Sequence, residues 1–258
     1  RQMGNLGWGW DDLLPLFKRS EAWEGAADPV RGAQGELSVS RSRQSWQVVD
    51  AWVEAAKAAG FTFNPDYNGK SQEGVGYFQL TARNGLRCSS AKAFLKPARS
   101  RPNLTVFTEM QVDRIELEDR RAVAVRGRRH GAPVRISGRR EIILSAGAIG
   151  SPQILMLSGI GEPDHLSEHG ISLKHQLPGV GQNLQDHLQA RPVYRCKAPT
   201  INTRTRGLFN QARIGLEYML NRSGPLTLAA SLGTGFLKTR PDLETPDIQF
   251  HIQPFSAN

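Results

Sequence analysis

Within residues 45–59 the apolar side chains Val48, Val49, Trp52, Val53 and Ala56 recur at intervals of one, three or four. That spacing draws one stripe down a helix, with Ser45 as its expected cap and Gly60 as its stop. Residues 207–221 repeat the pattern through Leu208, Ala212, Leu216, Met219 and Leu220. Residues 11–21 read as a shorter helix interrupted at Pro15. The polar, glycine-bearing stretch 25–43 between the first two helices is expected as a surface loop.

The rhythm shifts toward period two in the middle of the chain. Residues 105–117 place Val106, Met110 and Val112 on one face of an extended segment, and residues 122–128, 134–137 and 141–146 follow as short strands. Asp119-Arg120 and residues 129–132 supply the turns. This predicts a β-meander inserted between two strands of a parallel sheet. Residues 69–95 carry strand-like pieces followed by a helix start at Ser89 or Ser90. Further on, residues 193–197 and 247–254 read as strands, the last with no partner after Asn258, and residues 223–240 are glycine-rich.

The run Glu141-Ile142-Ile143-Leu144 leads directly into Gly147-Ala148-Ile149-Gly150-Ser151-Pro152. A short apolar run suits a buried parallel strand, and the two glycines allow a tight turn and close approach to a ligand. Ser151 is a good helix cap and Pro152 suits a first turn. The free N–H groups of such a turn favour an anion or an electron-rich cofactor edge. By itself the turn also fits a plain strand-to-helix connection.

Composition narrows the partners. The chain has 258 residues and a net charge of +9, with 39% hydrophobic and 22% charged residues, as ordinary globular proteins do. Its arginines are scattered, and the clusters Arg126-Arg128-Arg129 and Arg139-Arg140 lie at expected turns with no aromatic residues between them. No nucleic-acid partner is therefore expected, while anionic substrates would be attracted. No apolar run reaches the length of a membrane helix, and the first residues lack a signal-peptide layout. Cys88 and Cys196 make no C-x-x-C pair, so neither zinc nor a disulfide framework is expected, and a reducing compartment, the cytoplasm, is the default. A longer protein could still associate with a membrane.

The stretch Gly147-Ala148-Ile149-Gly150-Ser151-Pro152-Gln153-Ile154-Leu155-Met156-Leu157-Ser158-Gly159-Ile160-Gly161 resembles the second signature of the glucose–methanol–choline oxidoreductases. Leu177-Pro178-Gly179-Val180-Gly181-Gln182-Asn183-Leu184-Gln185-Asp186-His187 resembles that family's next block. Gly4-Asn5-Leu6-Gly7-Trp8-Gly9-Trp10, Gly74-Val75-Gly76, residues 84–91 and Arg101-Pro102-Asn103-Leu104 extend the likeness, closest to the choline-dehydrogenase-like branch.

The resemblance implies an α/β fold: an FAD-binding doubly wound parallel sheet with an inserted meander, and part of an α+β substrate-binding domain. It divides the chain into residues 1–86 on the substrate or cap side, 87–190 as the central part of the FAD domain, and 191–258 as the start of the substrate domain. FAD would be held by Val112, Ala146, Gly147, Ser151, Pro152, Asn183 and His187. The chain contains no G-x-G-x-x-G for the pyrophosphate, and the family's catalytic histidine is expected beyond Asn258. The chain is thus expected to be the inactive central piece of an FAD-dependent alcohol dehydrogenase or oxidase. Its substrate would be a small alcohol, and its electron acceptor oxygen, a quinone or a carrier protein. A non-enzymatic module on the same scaffold and a flavin-retaining lyase are the alternatives.

The remaining candidates carry blander readings. Direct catalysis by His187 stands against a turn pinned by Asp186, and His251 reads as packing or pocket wall. His165 and His169, four apart beside Asp164 and Glu168, lack a metal-site pattern. No G-x-S-x-G elbow points to a serine hydrolase.

Overall fold

The computed structural model describes residues 4–26 and 28–255. Ala27, inside the expected 25–43 loop, and the two ends of the domain division at residues 1 and 258 lie outside them. The fold is mixed α/β, in two compact units: Arg1–Leu104 with Pro192–Asn258, and Thr105–Arg191.

The first unit is organised around a three-stranded antiparallel sheet in the order Ile248–Ile252, Gly233–Leu237, Gly74–Tyr77. The final strand pairs with Gly233–Leu237, which precedes it in the chain. Its register against Gly233–Leu237 is set by pairs such as Thr234 with His251, a pairing that no local pattern announces. The helix Gln47–Ala58 lies on one face of this sheet. Val49 and Val53 are buried, as the apolar stripe requires, but the cap position is Trp46 and not Ser45. The Trp46 N–H donates to Tyr77 Oη at 3.2 Å. Glycines allow the close approach: a Cβ on Gly233 would lie 2.9 Å from Val49 Cγ1, and one on Gly235 would lie 3.1 Å from Trp52 Cη2. Val49 and Leu232 are fully buried in this layer, each contributing about 2 kcal/mol of burial.

Two local expectations in this unit change. Helix Trp10–Ser20 runs through Pro15 without a break; the cost is one forfeited amide donor. The expected strand at 193–197 is irregular. Leu208–Asn221 is a helix, as its period demands.

The second unit contains the expected meander. Strands Met110–Glu118, Arg121–Arg129 and Ala132–Ser137 form an antiparallel sheet. Asp119, His130 and Gly131 turn it through positive φ. Helix Gly147–Leu157 packs on the first of these strands. A short parallel pair, Ile160–Gly161 with His175–Gln176, then brackets helix Pro163–Glu168, whose Leu166 is buried.

The expected strand at 141–146 pairs with no other strand among the described residues. Its side chains over 141–144 still alternate between exposed and half-buried. A parallel strand is completed by neighbours on its flanks, and none of the described residues supplies them. Among the described residues the parallel strand pairs are the pair just named and Glu21–Trp23 with Leu37–Val39, beside one isolated parallel bridge between Phe63 and Val75.

Candidate functional site

Helix Gly147–Leu157 begins one turn earlier than the sequence suggests, with Ala146 at the cap position. Ser151, expected as the cap, lies inside the helix. Its hydroxyl accepts the Ala146 N–H at 2.9 Å and so holds the extra turn. Pro152 falls within the helix as well. Gly147 has φ +84°, a conformation that favours glycine. A Cβ added there would meet nothing within 4 Å, and one on Gly150 would meet only the Ala146 side chain. At Gly147 the helix entrance is therefore bare backbone, and the Ser151 hydroxyl on the Ala146 N–H is the side-chain bond that holds it.

Beside this entrance is an open concavity of about 1090 Å³ between the helix and the meander. Val112, Ala146 and Gly150 line it, with Gln153 and Leu157 along the helix. Four arginines, Arg114, Arg126, Arg128 and Arg135, stand on its meander side. Two of them share the single carboxylate of Glu116, which accepts from Arg126 at 2.8 Å and from Arg135 at 2.6 Å. These bonds hold the Glu116 carboxyl down to about 2. The structure thus brings Val112 and Ala146 together; Gly147, Ser151 and Pro152 belong to the adjoining helix entrance. Ile143 is 77% and Ile149 73% exposed. Uncapped backbone donors beside exposed apolar side chains suit a group that is anionic at one part and flat and apolar at another, and FAD is such a group.

The second block, residues 177–187, is largely irregular. Asn183 adopts φ +53° and its Oδ1 accepts from Gln185 Nε2 at 3.2 Å. Asp186 Oδ1 accepts the His187 N–H at 2.7 Å and lies 3.5 Å from His187 Nδ1. The backbone bond first, then the ring, lowers the Asp186 carboxyl below its ordinary value. Asn183 and His187 do not line the concavity, and His187 is exposed.

The first unit carries a second feature, which motif reading missed apart from His251. On the sheet face opposite helix Gln47–Ala58, Tyr67 packs against Phe236 at 5.2 Å and Phe78 at 6.1 Å, and Phe78 against His251 at 5.1 Å. His251 Nδ1 lies 3.4 Å from Ser231 Oγ, which also accepts from Gln253 Nε2 at 3.2 Å. The alternation in 247–254 marks His251 and Gln253 as one face, but nothing local joins them to Tyr67. Burial raises the Tyr67 phenol. Thr234, paired with His251 in the sheet, is buried with its hydroxyl unpartnered among the described residues.

Tyr67 is placed by a polar hub. Arg31, its side chain 3% exposed, bonds both oxygens of Glu21 and also Asp66 and Gln79, and it stacks on Trp23 at 4.2 Å. The Gln79 N–H donates to Tyr67 Oη at 3.0 Å. No motif flags Arg31; only its burial does. His165 and His169 stack edge to face at 4.8 Å, and no His, Cys, Asp and Glu group among the described residues has a metal-binding arrangement.

A solved FAD-dependent oxidoreductase shares this mixed α/β fold. The family model for GMC oxidoreductases matches residues 1–189, and the chain belongs to that family. It is 42% identical over 253 residues to the oxygen-dependent choline dehydrogenase of Brucella ovis, covering 98% of this chain and 46% of that protein. It is 41% identical over 255 residues to the mitochondrial choline dehydrogenase of Mus musculus, covering 97% and 42%. Among solved structures, an FAD-dependent oxidoreductase from Chaetomium thermophilum superimposes with a TM-score of 0.78 at 26% identity, covering 91% of this chain and 44% of that one. Pyridoxine 4-oxidase from Mesorbium loti gives 0.76 at 28% identity, covering 91% and 42%. The chain thus spans a little under half the length of the relatives it matches.

Proposed function

We propose that this chain is the central part of an FAD-dependent oxidoreductase that oxidises a small alcohol at its CH–OH group. The observation that carries the reading is the bare, glycine-entered helix start at Gly147 beside the Val112 concavity, in a chain of the GMC family. In this reading Val112, Ala146, Gly147, Ser151 and Pro152 hold FAD on the Thr105–Arg191 unit, with Asn183 and His187 contributing from the second block. The Gly147 turn directs backbone N–H groups and the positive end of the helix dipole toward the cofactor. Ser151 keeps that turn in place through Ala146. Asp186, held as a carboxylate, fixes the backbone and ring of His187. Bound FAD supplies an acceptor for the hydride leaving the alcohol carbon. The base that takes the hydroxyl proton is assigned to a histidine beyond Asn258.

The first unit would supply the substrate wall. Its ring face of Tyr67, Phe78, Phe236 and His251 suits an alcohol with an apolar or cationic head, and choline, named in the relatives' activity, has such a head. Residues 1–86 and 191–258 would then form the substrate side and 87–190 the cofactor side. The electron acceptor would be oxygen, a quinone or a carrier protein. No described helix is long and apolar enough to cross a membrane.

The test is the visible spectrum of the full-length protein. Flavin bands that bleach on anaerobic addition of an alcohol are the expected result. A folded, colourless protein would favour a non-enzymatic module, and flavin that no alcohol reduces would favour a lyase.

A further inference from the structure

His251 stands in the ring face of the first unit with one of its ring nitrogens engaged. The imidazole packs on the Phe78 ring, with 5.1 Å between centroids and 38° between planes. Its backbone is fixed by pairing with Thr234, a buried residue whose hydroxyl has no hydrogen-bond partner among the described residues. Nδ1 lies 3.4 Å from Ser231 Oγ. Two positions along the strand direction, Gln253 returns to the same face and donates from Nε2 to that oxygen at 3.2 Å. All of these contacts lie within one compact unit.

The hydrogens available decide which nitrogen carries the proton. A serine hydroxyl has one hydrogen to donate, and its oxygen can accept others. Gln253 donates to Ser231 Oγ, and among the described residues the serine hydrogen has its acceptor in His251 Nδ1. A neutral imidazole that accepts at Nδ1 carries its proton on Nε2. The reverse arrangement, with Nδ1–H donating to Ser231, would leave the serine hydrogen without a protein acceptor among the described residues. We propose that Ser231, seated by Gln253, is a positioning residue that fixes His251 as an Nε2–H donor to the oxygen of the alcohol substrate. This rests on the reading of the Tyr67, Phe78, Phe236 and His251 face as the substrate wall. A protonated Nε2 has no lone pair for the hydroxyl proton. His251 therefore holds the alcohol oxygen while a different base takes its proton.

The test is nitrogen NMR of the full-length protein carrying isotopically labelled histidine, the His251 signals being those lost in His251→Asn. Bare and protonated ring nitrogens resonate far apart, so the spectrum reads the tautomer directly. The proton is expected on Nε2. Ser231→Ala should turn this into a mixture of both tautomers and lower kcat/KM for choline about tenfold. Ser231→Thr, which keeps the hydroxyl, should restore both. Choline added without oxygen should move the Nε2–H signal, and ethyltrimethylammonium, which lacks the hydroxyl, should leave it in place. A proton on Nδ1, an unchanged tautomer in Ser231→Ala, or an Nε2–H signal that choline does not move would overturn the proposal. Flavin absorbance separates this from the reading above. Bleaching by choline with the proton on Nδ1 would sink this inference alone, and an Nε2–H signal moved by choline in a colourless protein would sink that reading alone.

Discussion

The backbone N–H of Ile115 donates to Ser158 Oγ at 2.8 Å, joining the first meander strand to the residue that ends helix Gly147–Leu157. Ser158 Oγ in turn donates to Ile154 O at 2.6 Å. One buried hydroxyl thus sets the height of the helix on the strand that carries Val112, and so the width of the concavity between them. Ser158→Ala leaves the Ile115 amide buried without an acceptor. The expected cost is about 1–3 kcal/mol, measured by denaturant unfolding, with weaker retention of the cofactor.

Gly147 and Gly179 separate backbone strain from crowding. A Cβ at either would meet nothing within 4 Å, but only Gly147 has positive φ. Gly147→Ala should destabilise by about 1 kcal/mol and lower the flavin-to-protein absorbance ratio. Gly179→Ala should be close to neutral in stability. Equal effects of the two would contradict this account.

Arg31 joins Glu21, Asp66 and Gln79 through a planar fork that an ammonium cannot copy. Arg31→Lys should cost about 2–3 kcal/mol, because two partly buried carboxylates lose their geometry. In the alcohol oxidation proposed above, releasing the 66–67 segment should also shift KM more than kcat. Urea unfolding and steady-state kinetics check the two effects separately.

The Glu116 ladder gives a pH signature. Its carboxyl is held at about 2, against an ordinary value of 4.5, by Arg126 and Arg135. A lowered folded value contributes stability that is complete above the ordinary value and lost as pH falls through the folded one. The difference in thermal stability between the native protein and Glu116→Gln should therefore be constant above pH about 5 and vanish on descent toward pH about 2. Added salt should shrink it throughout.

Much of the local structure follows from the order of residues alone. The apolar period determined helices Gln47–Ala58 and Leu208–Asn221, and alternation with turn residues at 119 and 129–132 determined the meander. Both depend on neighbours within a few positions, where side-chain direction follows from the backbone repeat. In the Gly147 block the glycine turn into a helix was legible because glycine acts locally, but the start of the helix was not: it begins at Gly147 and leaves Ser151 and Pro152 inside. Other features arise only when distant segments meet. Arg31 collects partners from residues 21, 66 and 79, Tyr67 meets Phe236, and the last strand finds Gly233–Leu237. The unpaired run at 141–146 shows the same dependence from the other side: its apolar residues specify a strand, but the flanking strands that would complete it are not supplied by its own sequence. Tertiary structure likewise decided which side of helix Leu208–Asn221 faces inward, since a sequence pattern defines a stripe without saying what the stripe will meet.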